Sequence, residues 1–177
     1  METLPLAEIK NRLSEFVERV SSQHDRVTIT RNGRPAAVLV SPEDLESLEE
    51  TLSILGDSEE LRALQEGRVD RDVGRVVSLE DRPAAASVSD AYQVVIAASA
   101  ARDVGRLPTA VRRPILAALD ALAEEPRAGK PLTGALRVLW SLRRGDYRIV
   151  YRVDDPARKV EVARVGFERS YMTQAAQ

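Results

Sequence analysis

The sequence contains no cysteine, so neither a disulfide framework nor a thiolate metal site can hold it together. His24 is the single histidine among 177 residues, which removes multi-histidine metal clusters and His-based triads and leaves His24 as an ordinary turn residue. Aromatic residues make up only 4%, so any core must be mainly aliphatic, and the 44% hydrophobic fraction is enough for one. No apolar run approaches the roughly 18 residues of a membrane span, and Met1-Glu2-Thr3 is not a basic stretch leading into an apolar one. The expectation is a soluble, cytoplasmic protein with no membrane partner.

What the sequence does have is a split of charge. Residues 1–88 carry 11 Lys and Arg against 18 Asp and Glu, whereas residues 89–177 carry 15 against 10. The net charge of −2 hides this asymmetry. A basic half suggests a polyanion such as RNA as a partner, and an acidic half on the same chain suggests something able to cover it.

In the acidic half, Leu6, Ile9, Leu13, Phe16, Val17 and Val20 recur at helical spacing. Val27–Thr30 then alternates as a strand, Arg31-Asn32-Gly33-Arg34 forms a turn with cheap positive φ, and Pro35–Val40 returns as a second strand. Ser41 is a good N-cap before Pro42, and the following helix places Leu45, Leu48, Leu52 and Leu55 at apolar spacing as far as Gly56. A helix–hairpin–helix of this size buries too little apolar surface to stand alone, so a symmetric dimer is expected.

Residues 43–81 then turn strongly acidic, with 13 acidic residues against 4 basic. Leu61, Leu64, Val69, Val73, Val76, Val77 and Leu79 run through this stretch with nothing of its own to pack on, so it reads as an arm that orders on a partner's surface. Asp81–Asp90 has proline, small residues and no period, and marks the boundary. Ten such residues reach roughly 17–20 Å, enough to dock one module on the other within a chain or between two.

The basic half reads as a strand at Tyr92–Ile96, a helix from Ala97 to Leu107, and a second helix carrying Val111, Ile115, Leu116, Leu119 and Leu122. Pro114 should kink that helix or delay its start. Strands at Leu136–Arg143, Tyr147–Val153 and Val160–Val165 follow. The order β-α-α-β-β-β predicts an α+β domain with an antiparallel-rich sheet. Tyr147, Tyr151 and Trp140 read as core or sheet-face residues, and Asp154-Asp155 as a turn.

These segments carry two resemblances. Leu6–Glu15, Val27–Val40 and Pro42–Thr51 resemble the Phd/YefM family of antitoxins, as found in RelB–RelE type pairs. The resemblance implies a helix–hairpin–helix dimerisation domain over 1–56, a toxin-neutralising arm over 57–82, and operator DNA bound through Lys10 and Arg31, with Arg12 and Arg34 beside them. Residues 1–41 are only +1 overall, so such binding would depend on local clustering in the dimer and be salt-sensitive.

After a linker at 83–90, residues 91–177 resemble RelE-family toxins, small mRNA interferases acting on the ribosome. The carrying residues are Leu107-Pro108, Gly129–Leu132, Leu139–Val153 and Val160–Gly166. The resemblance implies metal-free and cofactor-free RNA cleavage by the neighbouring 2′-hydroxyl, with Arg148 of the Gly-Asp-Tyr-Arg string stabilising the phosphorane and Arg143, on the strand before, matching a recurrent basic position, although the spacing between the two does not settle whether they share a face. Lys130, Arg137 and Arg144 would grip RNA or ribosome. After Val165-Gly166 the family presents a basic pair and then a tyrosine, whereas this chain has Phe167-Glu168, with Arg169 and Tyr171 matching after a one-residue shift. The whole then reads as a type II toxin–antitoxin pair on one polypeptide. A DNA-binding repressor whose RelE-like half is an inactive corepressor is the alternative.

Overall fold

The computed structural model describes residues 2–78 and 91–167, which divide between Glu49 and Glu50 into two compact units. The first unit opens with β1 (Glu2–Pro5), a strand that sequence periodicity did not predict. The single expected helix is two, α1 (Leu6–Asn11) and α2 (Leu13–Gln23), because Arg12 leaves helical geometry at φ −126° and ψ 26°. His24 then closes α2 in the left-handed region. Next come β2 (Val27–Arg31) and β3 (Arg34–Leu39), an antiparallel hairpin whose turn residues Asn32 and Gly33 have φ of 52° and 75°. Only β1 pairs parallel, alongside β2. Ile9, Phe16, Val20 and Val27 form the small core of this unit.

Helix α3 (Pro42–Gly56) begins as expected, with the Ser41 hydroxyl accepting from the Asp44 amide at 3.1 Å. Its buried stripe differs from the apolar reading. Ser47, Glu50, Thr51 and Ile54 are buried at helical spacing, while Leu45, Leu52 and Leu55 are exposed. The leucines therefore face away from the stripe that α3 buries.

Asp57 caps α4 (Ser58–Asp72), its carboxylate accepting from the amides of Glu59 at 2.9 Å and Glu60 at 3.1 Å. A short strand, β4 (Val76–Ser78), follows. The second half adds β5 (Gln93–Ala97), α5 (Ala98–Arg106), α6 (Thr109–Ala121), β6 (Lys130–Pro131), β7 (Trp140–Arg144), β8 (Tyr147–Asp154) and β9 (Lys159–Phe167). Pro114 lies within α6 and does not delay its start. The first meander strand begins at Trp140 rather than Leu136, because residues 134–136 form a 3-10 turn.

The sheet order is β4-β5-β9-β8-β7-β6, antiparallel except for β5 beside β9. Every buried member of its main core lies between Val94 and Val165, with Ile115, Leu119, Leu122, Ile149, Tyr151 and Val160 almost fully enclosed. Each such side chain contributes about 1.5–3 kcal/mol, and the basic half therefore has a core complete without residues 1–78. The other face of the sheet carries a second cluster in which Ile54 and Leu64 meet Leu132 and Val150.

Helix α4 approaches β9 so closely that a Cβ at Gly67 would stand 2.1 Å from the Ala163 carbonyl oxygen. Only glycine fits there. The arm's contact accordingly rests on Leu64, Gly67, the buried carboxylates Glu60 and Asp70, and the strand pairing of β4. Leu61 is half-buried, while Val69, Val73, Val76 and Val77, expected to supply the apolar grip, are exposed. Leu79 lies outside the described residues. Among the described residues no helix is long and apolar enough to cross a membrane.

Gly67→Ala should cost about 1–3 kcal/mol, the range for overpacking a tight contact, and should speed hydrogen exchange of the α4 amides. Urea denaturation and exchange read by mass spectrometry check both. Unchanged exchange across α4 would contradict the close approach.

Candidate active site

The β7–β8 hairpin turns through two residues, Gly145 and Asp146, with Gly145 at φ 60°. That loop fixes the register, so Arg143 stands opposite Arg148 and Ser141 opposite Val150. Leu142 and Ile149 consequently turn into the core, and Ser141, Arg143, Arg148 and Val150 share the opposite face. Lys130, paired with Ser141, extends that face onto β6. Two guanidinium groups directly across from one another repel. Arg148 is only 3% exposed, so solvent cannot screen it, and an anion must be present.

Glu50, near the end of α3, supplies it. Arg143 Nε donates to Glu50 Oε2 at 2.8 Å, and Arg143 Nη2 donates to the same oxygen. The Ser141 hydroxyl donates to Oε1, and Arg148 Nε is paired with Oε1 at 2.7 Å. Ser53, one turn along α3, accepts from Arg148 Nη2 at 3.2 Å, and the Thr51 hydroxyl accepts from the Thr133 amide at 2.9 Å. Burial alone would push the Glu50 carboxyl up, but hydrogen bonds from Arg143 and Ser141 and the charges of Arg148 and Arg143 hold it below the usual carboxylate range. Three donor side chains thus converge on the two oxygens of one carboxylate, an arrangement that suits a phosphodiester equally well.

A second carboxylate lies one turn into α4. Glu60 Oε2 is 3.5 Å from Arg164 Nε, and Arg164 Nη1 donates to Asp103. Burial pushes the Glu60 carboxyl up, and the charges of Arg164 and Arg148 offset this only in part. Further along α4, Asp70 accepts from the Ser99 amide at 2.8 Å and pairs with Arg75 at 2.9 Å. Among the described residues no group of three or more His, Asp or Glu side chains could hold a metal ion.

The remaining expected residues lie apart from this cluster. Arg137 is exposed after the 3-10 turn, and Arg144 is exposed with Nη1 donating to the Arg143 carbonyl at 3.1 Å. Arg169 and Tyr171 lie outside the described residues. Phe167 is exposed at the end of β9, its ring edge-on to Tyr147 at 5.5 Å. In the first unit, Lys10, Arg31 and Arg34 are exposed, the latter two paired across the hairpin turn. Arg12 is committed to Glu15 at 2.5–2.9 Å and stacks on Phe16, so a phosphate could reach it only by displacing that carboxylate. Glu50, Ser141 and Arg164 lie in the stretches that carry the resemblances but had no role assigned there, and Ser53 and Glu60 carried no motif. The readable sign was the two-residue loop, which by itself pairs positions 143 and 148.

A basic α+β module covered by an acidic arm is the class that this geometry defines. The family described as antitoxin Phd_YefM, type II toxin–antitoxin system, matches residues 1–74, and the family described as ParE toxin of the type II toxin–antitoxin system parDE matches residues 94–170. Antitoxin RelB of Mycobacterium tuberculosis is 49% identical over 81 residues, 46% of this chain and 91% of that protein. Toxin RelE of the same organism is 43% identical over 76 residues, 42% of this chain and 78% of that protein. The crystal structure of the toxin–antitoxin complex RelBE2 from M. tuberculosis is similar at 37% identity, covering 44% of this chain and 98% of that one with a TM-score of 0.42. The chain belongs to the type II toxin–antitoxin family, a RelB-type antitoxin and a RelE-type toxin joined in one polypeptide.

The two carboxylates titrate in opposite senses. The lowered pKa of Glu50 contributes stability that is present above the unfolded value of about 4.3 and is lost as pH falls through the lower folded value. The raised pKa of Glu60 costs stability as pH rises from about 4.3 through its folded value. At pH 7, Glu50→Gln should lose about 3 kcal/mol, the low end for breaking a buried pair, because Arg143 is half-exposed. Glu60→Gln should be neutral or stabilising at pH 7. Denaturant melts from pH 3 to 7 check both, and a loss of equal size in the two variants would contradict the assignment.

Proposed function

We propose that the chain is a latent, ribosome-dependent mRNA endoribonuclease in the cytoplasm, held inactive by its own antitoxin segment. The observation that carries this reading is the convergence of Arg143, Arg148 and Ser141 on Glu50. Glu50 belongs to the stretch matched by the antitoxin family, whereas the three donors belong to the toxin half. With the carboxylate gone, the same donors face a phosphodiester. The 2′-hydroxyl oxygen attacks phosphorus, the bond to the 5′-oxygen breaks, and negative charge grows on the non-bridging oxygens in between. Permanently protonated, forked arginines stabilise that charge without a metal or cofactor. The proton leaves the 2′-oxygen and one arrives at the 5′-oxygen, a task for which Tyr171 is the proposed group, with Arg169 as the basic residue near it in sequence. Lys130, Arg137 and Arg144 hold RNA or ribosome backbone.

In this reading residues 91–177 are the toxin, 83–90 the linker, and 57–82 the arm. The mask begins earlier, at Glu50 on α3. Residues 1–56 form a dimer, and Lys10, Arg31 and Arg34, with Arg12 beside them, bind operator DNA for autoregulation. Exposed Leu45, Leu52 and Leu55 support a second copy. One observation favours the alternative of an inactive corepressor, namely Phe167-Glu168 in the sequence where the toxin resemblance implies a basic pair.

Expression of residues 89–177, whose core is self-contained, should arrest growth, and Arg148→Ala should abolish the arrest. The full chain should be tolerated. A folded but harmless fragment would transfer the role to the corepressor. For DNA, the full chain with Lys10→Ala and Arg31→Ala should lose operator-fragment binding in a gel shift, with a shallower salt dependence than the parent. Unchanged binding would remove both residues from the DNA site.

A further inference from the structure

Arg164 is a guanidinium on the covered sheet face that the nuclease reading does not use. Its placement begins with a bulge. Val150 pairs with Arg164 and Tyr151 with Val162, which leaves Ala163 as an extra residue on β9. A bulge re-aims side chains. Here both Ala163, packed with Val150 and Leu64, and Arg164 come to the same side of the sheet. The guanidinium then folds over Gly166, since a Cβ built there would lie 2.9 Å from Arg164 Nη2 and 3.0 Å from Nε. Gly166 is the cross-strand partner of Arg148. The two arginines therefore flank a position without a side chain, as diagonal neighbours roughly 7–8 Å apart by sheet geometry.

The cover meets both arginines. Glu50 meets Arg148, and Glu60 meets Arg164, so two carboxylates of the antitoxin segment lie on two guanidiniums of the toxin half. Burial of Glu60 is costly and raises its pKa, and the favourable charges that it feels are Arg164 and then Arg148. At 3.5 Å the Glu60 contact is too long for a strong hydrogen bond, so the protein gains little stability from it. A carboxylate kept there at a cost matches a site shaped for a different anion.

We infer that Arg164 is a positioning residue that holds the RNA phosphate next to the scissile one, and that Glu60 occupies this phosphate's place in the covered state as Glu50 occupies the scissile one's. The inference rests on the nuclease reading for its substrate class. With the cover removed, Arg148, the bare backbone at Gly166 and Arg164 form a continuous track across β8 and β9. Asp103 holds the Arg164 guanidinium by accepting from its Nη1. Consecutive phosphates of an extended single strand then meet consecutive arginines. A purely structural role, in which the Arg164–Asp103 pair only fastens α5 to β9, makes a different prediction.

The experiment measures binding of residues 89–177 to a short fluorescein-labelled single-stranded RNA with 2′-deoxy sugars at the reacting position, across a series of salt concentrations. Arg164→Ala should bind roughly tenfold more weakly, with the log–log salt slope shallower by about 0.7, the value for one single-strand phosphate contact. Arg164→Lys should restore the slope. Asp103→Asn, which removes the ion pair but keeps the guanidinium, should retain the parent slope. Equal losses in Arg164→Ala and Asp103→Asn, an unchanged slope in Arg164→Ala, or no binding by the parent fragment at low salt would each overturn the inference. Because the probe cannot be cleaved, the readout is separate from catalysis. An Arg164-dependent slope in a fragment that arrests no growth defeats the nuclease reading alone, and growth arrest with a slope indifferent to Arg164 defeats this inference alone.

Discussion

A guanidinium buried on a sheet face directly across a hairpin from a second one cannot remain there without an anion beside it. Much of the molecule's second unit follows from that constraint. The two-residue turn at Gly145-Asp146 sets Arg143 against Arg148, and burial beside Val150 and Ile54 keeps water from Arg148, while Arg143 stays half-exposed. Glu50 is enclosed at the centre and pairs with both. A buried ion pair of this kind adds little net stability compared with an apolar replacement, but it is strongly specific, because losing either partner strands the other. The cover therefore recognises one particular surface and no generic basic patch.

The arm follows the same logic further along the sheet. Its hold combines a small apolar cluster, one glycine pressed against a backbone carbonyl, strand pairing at β4, and carboxylates set against arginines. Polar contacts of this sort give register more than energy. The glycine adds a steric requirement, since α4 can lie over the bulge at Ala163 in only one rotation. The exposed valines at 69, 73, 76 and 77 contribute little to that grip on the described surface.

Much of this was legible in the sequence. The hairpin at 27–39, the Ser41 cap and the order of elements in the basic half all follow from turn chemistry and periodicity, which are local. Arg148 and Arg143 were marked by their string. Tertiary pairing was not legible. Strand β1 forms only because β2 lies beside it, and Arg12 breaks a helix that apolar spacing alone would continue. The leucine stripe of α3 dominated its pattern, while the stripe actually enclosed, Ser47-Glu50-Thr51-Ile54, is mostly polar and resembles a solvated face. A carboxylate that meets its partners more than ninety residues away leaves no local trace.

Strand β4 pairs antiparallel with β5, Ser78 beside Val95, so the last described residue of the acidic half is a sheet neighbour of the first strand of the basic half. In two separate polypeptides such pairing is second order in concentration and weakens on dilution. Within one polypeptide it is an intramolecular closure, governed by the entropy of the connecting residues and indifferent to dilution. A frayed β4 re-forms from a local concentration on the order of millimolar, faster than any competitor at cellular abundance can arrive. Joining the halves thus turns a binding equilibrium into a folding one.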